Sequence, residues 1–180
     1  LTTVIGKAVA QALKKCPGIN GYIRFGGYIP HDTVDVSFLV SLEEGRSLAK
    51  ATIRGFENKS VVEATTELRS LADKLYRGED EEHNASMAPL KFLPTFIIRP
   101  LLTFTGWLTA SLGISFPALG LRAFPFGSCI ITNVGVFGLD EGFVPPTPFA
   151  RVPLYVLIGA LKDGVGVVDG EMVIQKQLTL

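Results

Sequence analysis

The sequence predicts an α/β fold, a two-layer sandwich in which a mixed β-sheet carries helices on one face. Three observations predict it. Stretches with apolar residues at helical spacing are interleaved with stretches of period two and with short β-branched runs. Gly-containing turns join several of the strands as hairpins. Interleaved helices and strands with hairpins among them give a sheet of mixed direction. No internal repeat or interdomain linker breaks the 180 residues, of which 47% are hydrophobic and 19% charged. The chain therefore reads as one domain, residues 1–180, large enough for a core and too apolar for disorder.

The elements follow in order. Thr2 or Thr3 is placed to cap a first helix, whose apolar stripe is Val4, Ile5, Ala8, Val9, Ala12 and Leu13. Lys7, Gln11, Lys14 and Lys15 are expected to face water, and Pro17-Gly18 stops the helix. Tyr22 to Phe25 and Tyr28-Ile29 flank Gly26-Gly27 as a hairpin. Val34, Val36, Phe38, Val40 and Leu42 alternate with Asp35, Ser37 and Ser41, the pattern of a half-buried strand. A weaker strand runs from about Leu48 to Ile53. Ser60-Val61-Val62-Glu63 is a capping box opening a second helix, which Gly78 ends. The acidic run from Glu79 to Glu82, with His83, reads as a solvated loop without metal-ligand spacing.

From Leu90 to Phe124 the chain is apolar nearly throughout, with Arg99 the one Arg before Arg122. Its charge-free core, Leu101 to Phe116, is short for a membrane span, which needs about 20 residues. Three readings are weighed for it: packing within the domain or against an oligomer partner, which is favoured; contact with a membrane surface or an acyl tunnel; and a transmembrane span.

Gly127-Ser128-Cys129-Ile130-Ile131-Thr132-Asn133-Val134-Gly135-Val136-Phe137-Gly138 is the stretch around which the rest is organised. A β-branched run ends in a hydroxyl and an amide, then in two glycines. That is a buried strand entering a loop that needs positive φ or close backbone approach. Taken alone it reads as strand and turn; its polar pair also stands where rigid scaffolds carry site residues. Beyond it, Val144-Pro145-Pro146-Thr147-Pro148 is extended, and Leu154 to Ile158 reads as a strand covered on both faces. Val165 to Val168 and Met172 to Leu180 flank an Asp169-Gly170 hairpin turn.

A formal net charge of zero argues against a nucleic-acid partner. Cys16 and Cys129 read as reduced core thiols of a cytoplasmic protein. Two glycosylation sequons, at Asn58 and Asn84, are taken as chance. The chain opens inside an apparent helix and closes inside an apparent strand, so both ends read as cut.

In this order the pieces resemble the catalytic core of the dihydrolipoamide acyltransferases of 2-oxo acid dehydrogenase complexes, which share the chloramphenicol acetyltransferase fold. Cys16-Pro17-Gly18-Ile19-Asn20 is similar to that family's helix end in Pro-x-x-Asn. His31 to Val40 resembles its strand with a Val-Asp-Val motif, and Ile131 to Gly138 its Ile-Ser-Asn-x-Gly-x-Phe-Gly. Phe143, the prolines and Leu154 to Gly159 resemble the segment that follows. The resemblance covers most of the chain except 90–124, an insertion longer than the family's connection.

The resemblance implies acyl transfer between coenzyme A and a thiol such as a dihydrolipoyl group, in a homotrimer or a larger oligomer built from trimers, without a metal. A lipoyl-carrying protein would be the partner, in the cytoplasm or, in a eukaryote, the mitochondrial matrix. In the family a histidine of a His-x-x-x-Asp-Gly motif is the general base, and a serine donates to the oxyanion. That serine falls on Thr132, which keeps the hydroxyl and stiffens the rotamer. Asn133 is the candidate substrate contact, with a turn-forming role as its plainer reading. No histidine matches the base: Val165 precedes Val168-Asp169-Gly170, and the motif is expected beyond Leu180. His31 is weighed as a replacement base against its plainer reading as a loop histidine after Pro30, and Asp35 as a polar strand residue or a structural ion pair. The alternative to an enzyme is a non-catalytic trimeric scaffold of the same fold.

Overall fold

The computed structural model describes residues 1–42, 45–80, 84, 93–117 and 120–180. The first helix, α1 (Thr2–Lys15), ends where Pro17-Gly18 begins a short 3-10 turn. A hairpin follows, β1 (Gly21–Arg24) with β2 (Gly27–Pro30). Its two turn residues are Phe25 and Gly26, at φ 51° and 80°, so the turn sits one residue earlier than Gly26-Gly27 and Gly27 joins β2. Two positive φ values in succession match the right-handed twist of a two-residue hairpin.

The main sheet contains β3 (Val36–Leu42), β4 (Ser47–Ile53), β5 (Cys129–Asn133) and β6 (Leu154–Ile158), in the order β4-β3-β5-β6. β3 pairs antiparallel with β4, from Val36 opposite Ile53 to Leu42 opposite Ser47. β5 runs parallel to both β3 and β6. The sheet is therefore mixed, as predicted. Val36 and Phe38, Ile53, Cys129 and Ile131 share one core with Ile5, Ala10 and Leu13 of α1 and Ala64 of α2 (Val61–Arg77). Farther along the sheet, Leu75 of α2 covers Ala49 and Ala51. Both helices thus close the same face.

Several local expectations shift. The buried stripe of α1 is Thr3, Ile5, Gly6, Ala10 and Leu13, while Val4 is 54% exposed and Ala8 and Ala12 face outward. The reason is Gly6. A Cβ there would lie 2.7 Å from the Phe38 ring and 2.9 Å from that of Phe56, so the helix approaches the sheet through its small residues. Neither Thr2 nor Thr3 caps α1. The Ncap is Leu1, and the two hydroxyls are engaged elsewhere, with Asn133 and Thr65. Lys7 does not face water: its Nζ donates to the carbonyls of Phe56, Glu57 and Lys59 at 3.2, 2.9 and 2.6 Å. Gln11 donates to the Glu57 carbonyl as well.

β3 is not half-solvated. Ser37 is fully buried and its hydroxyl lies 2.8 Å from that of Thr52. From the same side of β4, Lys50 Nζ donates to the Pro125 carbonyl at 2.8 Å and stands over the Phe126 ring, so the segment before β5 lies against this face. Cys16 is exposed, against the expectation of a core thiol, because it lies past the last turn of α1; Cys129 is buried as expected. β6 is an edge strand of its sheet and four of its five residues are half-buried, so its apolar run is not covered on both faces as expected.

α2 keeps its capping box. The Glu63 N–H donates to Ser60 Oγ and the Ser60 N–H to Glu63 Oε2. It ends at Gly78 with φ 69°. Of the acidic run that follows, residues 81–83, His83 among them, lie outside the described residues. The apolar insertion forms a helix, α3 (Thr95–Ala110), with Pro100 inside it. α3 is seated through Gly106, where a Cβ would lie 2.6 Å from the Phe149 carbonyl oxygen, and through buried Thr109 and Ala110. No helix among the described residues is long and apolar enough to cross a membrane. Last comes a separate hairpin of β7 (Lys162–Val168) and β8 (Glu171–Gln177), turning at Asp169-Gly170 with φ 52° and 88°.

Candidate functional site

The candidate site is built at the C-terminal end of β5. A β-branched, cysteine-containing run suits a strand buried on both sides, and Cys129, Ile130 and Ile131 are buried. The ladder between β3 and β5 runs from Val36–Cys129 to Phe38–Ile131 and goes no farther. Thr132 and Asn133 therefore pair only with Leu157 and Ile158 of β6. Their half-buried side chains sit where parallel strands part, a common position for ligand sites in α/β sheets.

The chain then turns sharply. The Val134 N–H donates to the Ile158 carbonyl at 2.9 Å, and Gly135–Phe137 form one 3-10 turn. The two glycines of the sequence motif serve different needs. Gly135 lies against the Gly159 carbonyl, so close that a Cβ would overlap it, whereas Gly138 takes φ 76° in open space. Close approach and left-handed backbone were the two uses expected of them.

Asn133 is tied to the first helix. Its Nδ2 donates to Thr2 Oγ1 at 2.9 Å, across 131 residues of sequence, and its Oδ1 is buried without a partner. Among the described residues the Thr132 hydroxyl makes no hydrogen bond to any group of the protein. Asn133 points with Cys129 and Ile131 toward α1, so Thr132, one residue earlier on the strand, presents its hydroxyl on the opposite face of the sheet, where it can donate one hydrogen bond to an incoming group and accept another.

No proton acceptor of near-neutral pKa joins Thr132 by a hydrogen bond among the described residues. His31 follows β2 and contacts the rings of Tyr22 and Phe124, with centroids 5.2 and 4.7 Å away. Burial lowers its pKa from the ordinary histidine value, outweighing the opposite pull of Asp35 and Asp32. Asp35 takes the structural ion-pair reading. Its carboxylate accepts from the Gly55 N–H at 2.9 Å and pairs with Arg54 at 3.1 Å. The Cys129 thiol is pushed up to about 12 by burial, which keeps it protonated and inert at neutral pH.

Two concavities lie elsewhere. A groove of ≈570 Å³ is lined by Arg99, Pro100, Thr103, Phe104, Trp107 and Arg151. A smaller one of ≈270 Å³ shares Arg151 and reaches Tyr22. Sequence reading did not single out Arg151. Its φ of 50° is visible only in the fold.

Residues 1–86 match the family model described as 2-oxoacid dehydrogenases acyltransferase (catalytic domain). No curated protein matches the chain. Among solved structures, the cubic core of the pyruvate dehydrogenase multienzyme complex is 18% identical with a TM-score of 0.63, over 98% of this chain and 55% of that one. A probable dihydrolipoamide acetyltransferase from Listeria monocytogenes is 17% identical with a TM-score of 0.61, over 96% of this chain and 55% of its own. The dihydrolipoamide acetyltransferase of Azotobacter vinelandii, studied for the roles of a serine, a histidine and an asparagine in its catalytic mechanism, is 18% identical with a TM-score of 0.61, over 98% and 55%. The fold is that of these acyltransferase cores, and the chain spans about half the length of each.

Proposed function

We propose that the chain is part of the catalytic domain of a coenzyme A-dependent acyltransferase, moving an acyl group between coenzyme A and a thiol such as a dihydrolipoyl group. The observation that carries this reading is the unengaged Thr132 hydroxyl at the parting of β5 from β3, in a chain whose residues 1–86 match the acyltransferase catalytic domain. Attack of a thiolate on a thioester places negative charge on the carbonyl oxygen. A preorganised hydroxyl, fixed by the strand on one side and by the glycine turn on the other, stabilises that charge without reorganising. In this reading Asn133 holds the loop to α1 through Thr2, the loop-setting one of its expected roles. On the same reading a histidine is the general base that generates the thiolate, and no histidine among the described residues hydrogen-bonds Thr132.

Self-association, as a trimer or an assembly of trimers, has support in the β7–β8 hairpin. Val165, Val167, Met172 and Ile174 are 67%, 70%, 82% and 79% exposed on it, an apolar surface that a second copy would cover. A lipoyl-carrying protein is the proposed acceptor partner.

The test is Thr132→Ala in the full-length protein, assayed for transfer between acetyl-CoA and dihydrolipoamide. The change is expected to lower kcat by about 10²–10³-fold with little change in KM, while Thr132→Ser keeps activity. Unchanged turnover in Thr132→Ala would remove Thr132 from the oxyanion role. A wild-type protein that assembles but transfers no acyl group from any thioester offered would put the scaffold reading in place of the enzyme.

A further inference from the structure

The outward face of α3 is apolar, the reverse of an ordinary surface helix. Its exposed positions 96, 99, 100, 103, 104 and 107 recur as one helical stripe. Phe96 is 77%, Phe104 55% and Trp107 39% exposed along it. The three threonines of this half of the helix ask nothing of a partner. Thr103, Thr105 and Thr109 donate to the carbonyls of Arg99, Leu101 and Thr105 at 2.9, 2.9 and 2.8 Å. What remains polar is cationic: Arg99 and Arg151 line the ≈570 Å³ groove with Pro100, Phe104 and Trp107. Arg151 donates to Ser111 Oγ, and among the described residues neither guanidinium meets a carboxylate. The sequence extends the asymmetry: no Asp or Glu occurs from His83 to Leu139, while Lys91, Arg99 and Arg122 do.

We propose that this face docks on a membrane surface bearing anionic headgroups. Phe96, Pro100, Phe104 and Trp107 enter the boundary between headgroups and acyl chains, and Arg99 and Arg151 meet headgroup phosphates. α3, with 16 residues about 24 Å long, lies in the plane of the surface rather than across the bilayer. Charge decides against two copies pairing isologously through this face. An isologous α3–α3 contact would bring guanidiniums of like sign together, and the surrounding segment offers no carboxylate to separate them. The inference goes beyond acyl transfer and does not depend on it.

Trp107 is the only tryptophan of the chain, so its emission reports on this face alone. The protein is mixed with vesicles of phosphatidylcholine, with or without phosphatidylglycerol, and followed by tryptophan emission and co-sedimentation. The expected result is a blue shift, quenching by brominated acyl chains and pelleting with the anionic vesicles, all reduced by high salt. Arg99→Gln is expected to weaken partitioning about fivefold. Phe96→Asp, at a site too exposed to affect folding, weakens it further with unchanged circular dichroism. Emission and sedimentation unaltered by anionic vesicles would overturn the proposal, as would binding indifferent to both salt and Arg99→Gln. A blue shift that grows with protein concentration in the absence of lipid would assign the face to a second copy instead.

Discussion

Replacing Gly135 by alanine sets two effects of opposite sign against each other at the loop that follows Thr132. The backbone at Gly135 is not left-handed, so alanine is conformationally allowed there. By its effect on the unfolded chain alone, the change would stabilise by about 0.4–1 kcal/mol. The added Cβ, however, would meet the carbonyl oxygen of Gly159, with the Gly159 carbonyl carbon at 2.6 Å and the Ala160 Cα at 2.8 Å. These are backbone atoms held in place: the Gly159 N–H donates to the Thr179 carbonyl at 3.0 Å and the Ala160 N–H to the Leu139 carbonyl at 2.8 Å. Reaching ordinary contact requires the loop to retreat by roughly 0.6–1 Å, most at the carbonyl oxygen. Overpacking of this kind costs about 1–3 kcal/mol, so the clash wins and the net loss is about 1–2 kcal/mol. Gly138→Ala is the control. Nothing lies within 4 Å of a Cβ there, and the cost of about 1 kcal/mol comes from its φ of 76°. Urea unfolding measures both losses, and hydrogen exchange at the Val134 amide reads the displaced loop, which only Gly135→Ala should deprotect. A Gly135→Ala protein as stable as wild type, with Val134 still protected, would refute the reasoning.

Three further outcomes are expected. Cys16 should react at once with a thiol reagent at neutral pH, whereas Cys129, with its thiol pushed up to about 12, should react only on unfolding; equal rates would contradict the burial of β5. Lys7→Met should lower urea stability by about 2 kcal/mol, because three carbonyls at the turn after β4 lose a charged donor, and Lys7→Arg should recover part of it. His31 has a folded pKa below its unfolded value, so its neutral form suits the fold. Its contribution is therefore fully present above the unfolded pKa of about 6.5 and is lost as pH falls through the folded pKa. His31→Gln should flatten that part of the pH–stability curve; a slope unchanged by the substitution would rule the account out.

The periodic elements were legible in the sequence. α2 was readable because both its signals are local: a capping box within four residues and a glycine that supplies its own left-handed φ. The alternating strand, the two hairpins and the run into Thr132-Asn133 were readable for the same reason, since period and turn chemistry are properties of neighbouring residues. The face of α1 was not. Apolar spacing pointed to Val4 and Ala8, but the helix turns Gly6 and Ala10 to the sheet because two phenylalanines from β3 and the turn after β4 need the space above them. Lys7 was misread as solvated because its acceptors come from residues about fifty positions away.

By itself, then, the sequence determined the α/β class, the mixed set of strands and the candidacy of Thr132 and Asn133, because these follow from short-range pattern. Only the tertiary structure decided how they stand. It ended the β3–β5 ladder at Ile131, it left the Thr132 hydroxyl without a hydrogen bond among the described residues, and it tied Asn133 to Thr2. It also placed the apolar insertion with one face packed at Gly106 and the other turned outward beside two arginines. Each of these depends on which distant backbones approach closely, and close approach is a property of packing that no local spacing encodes.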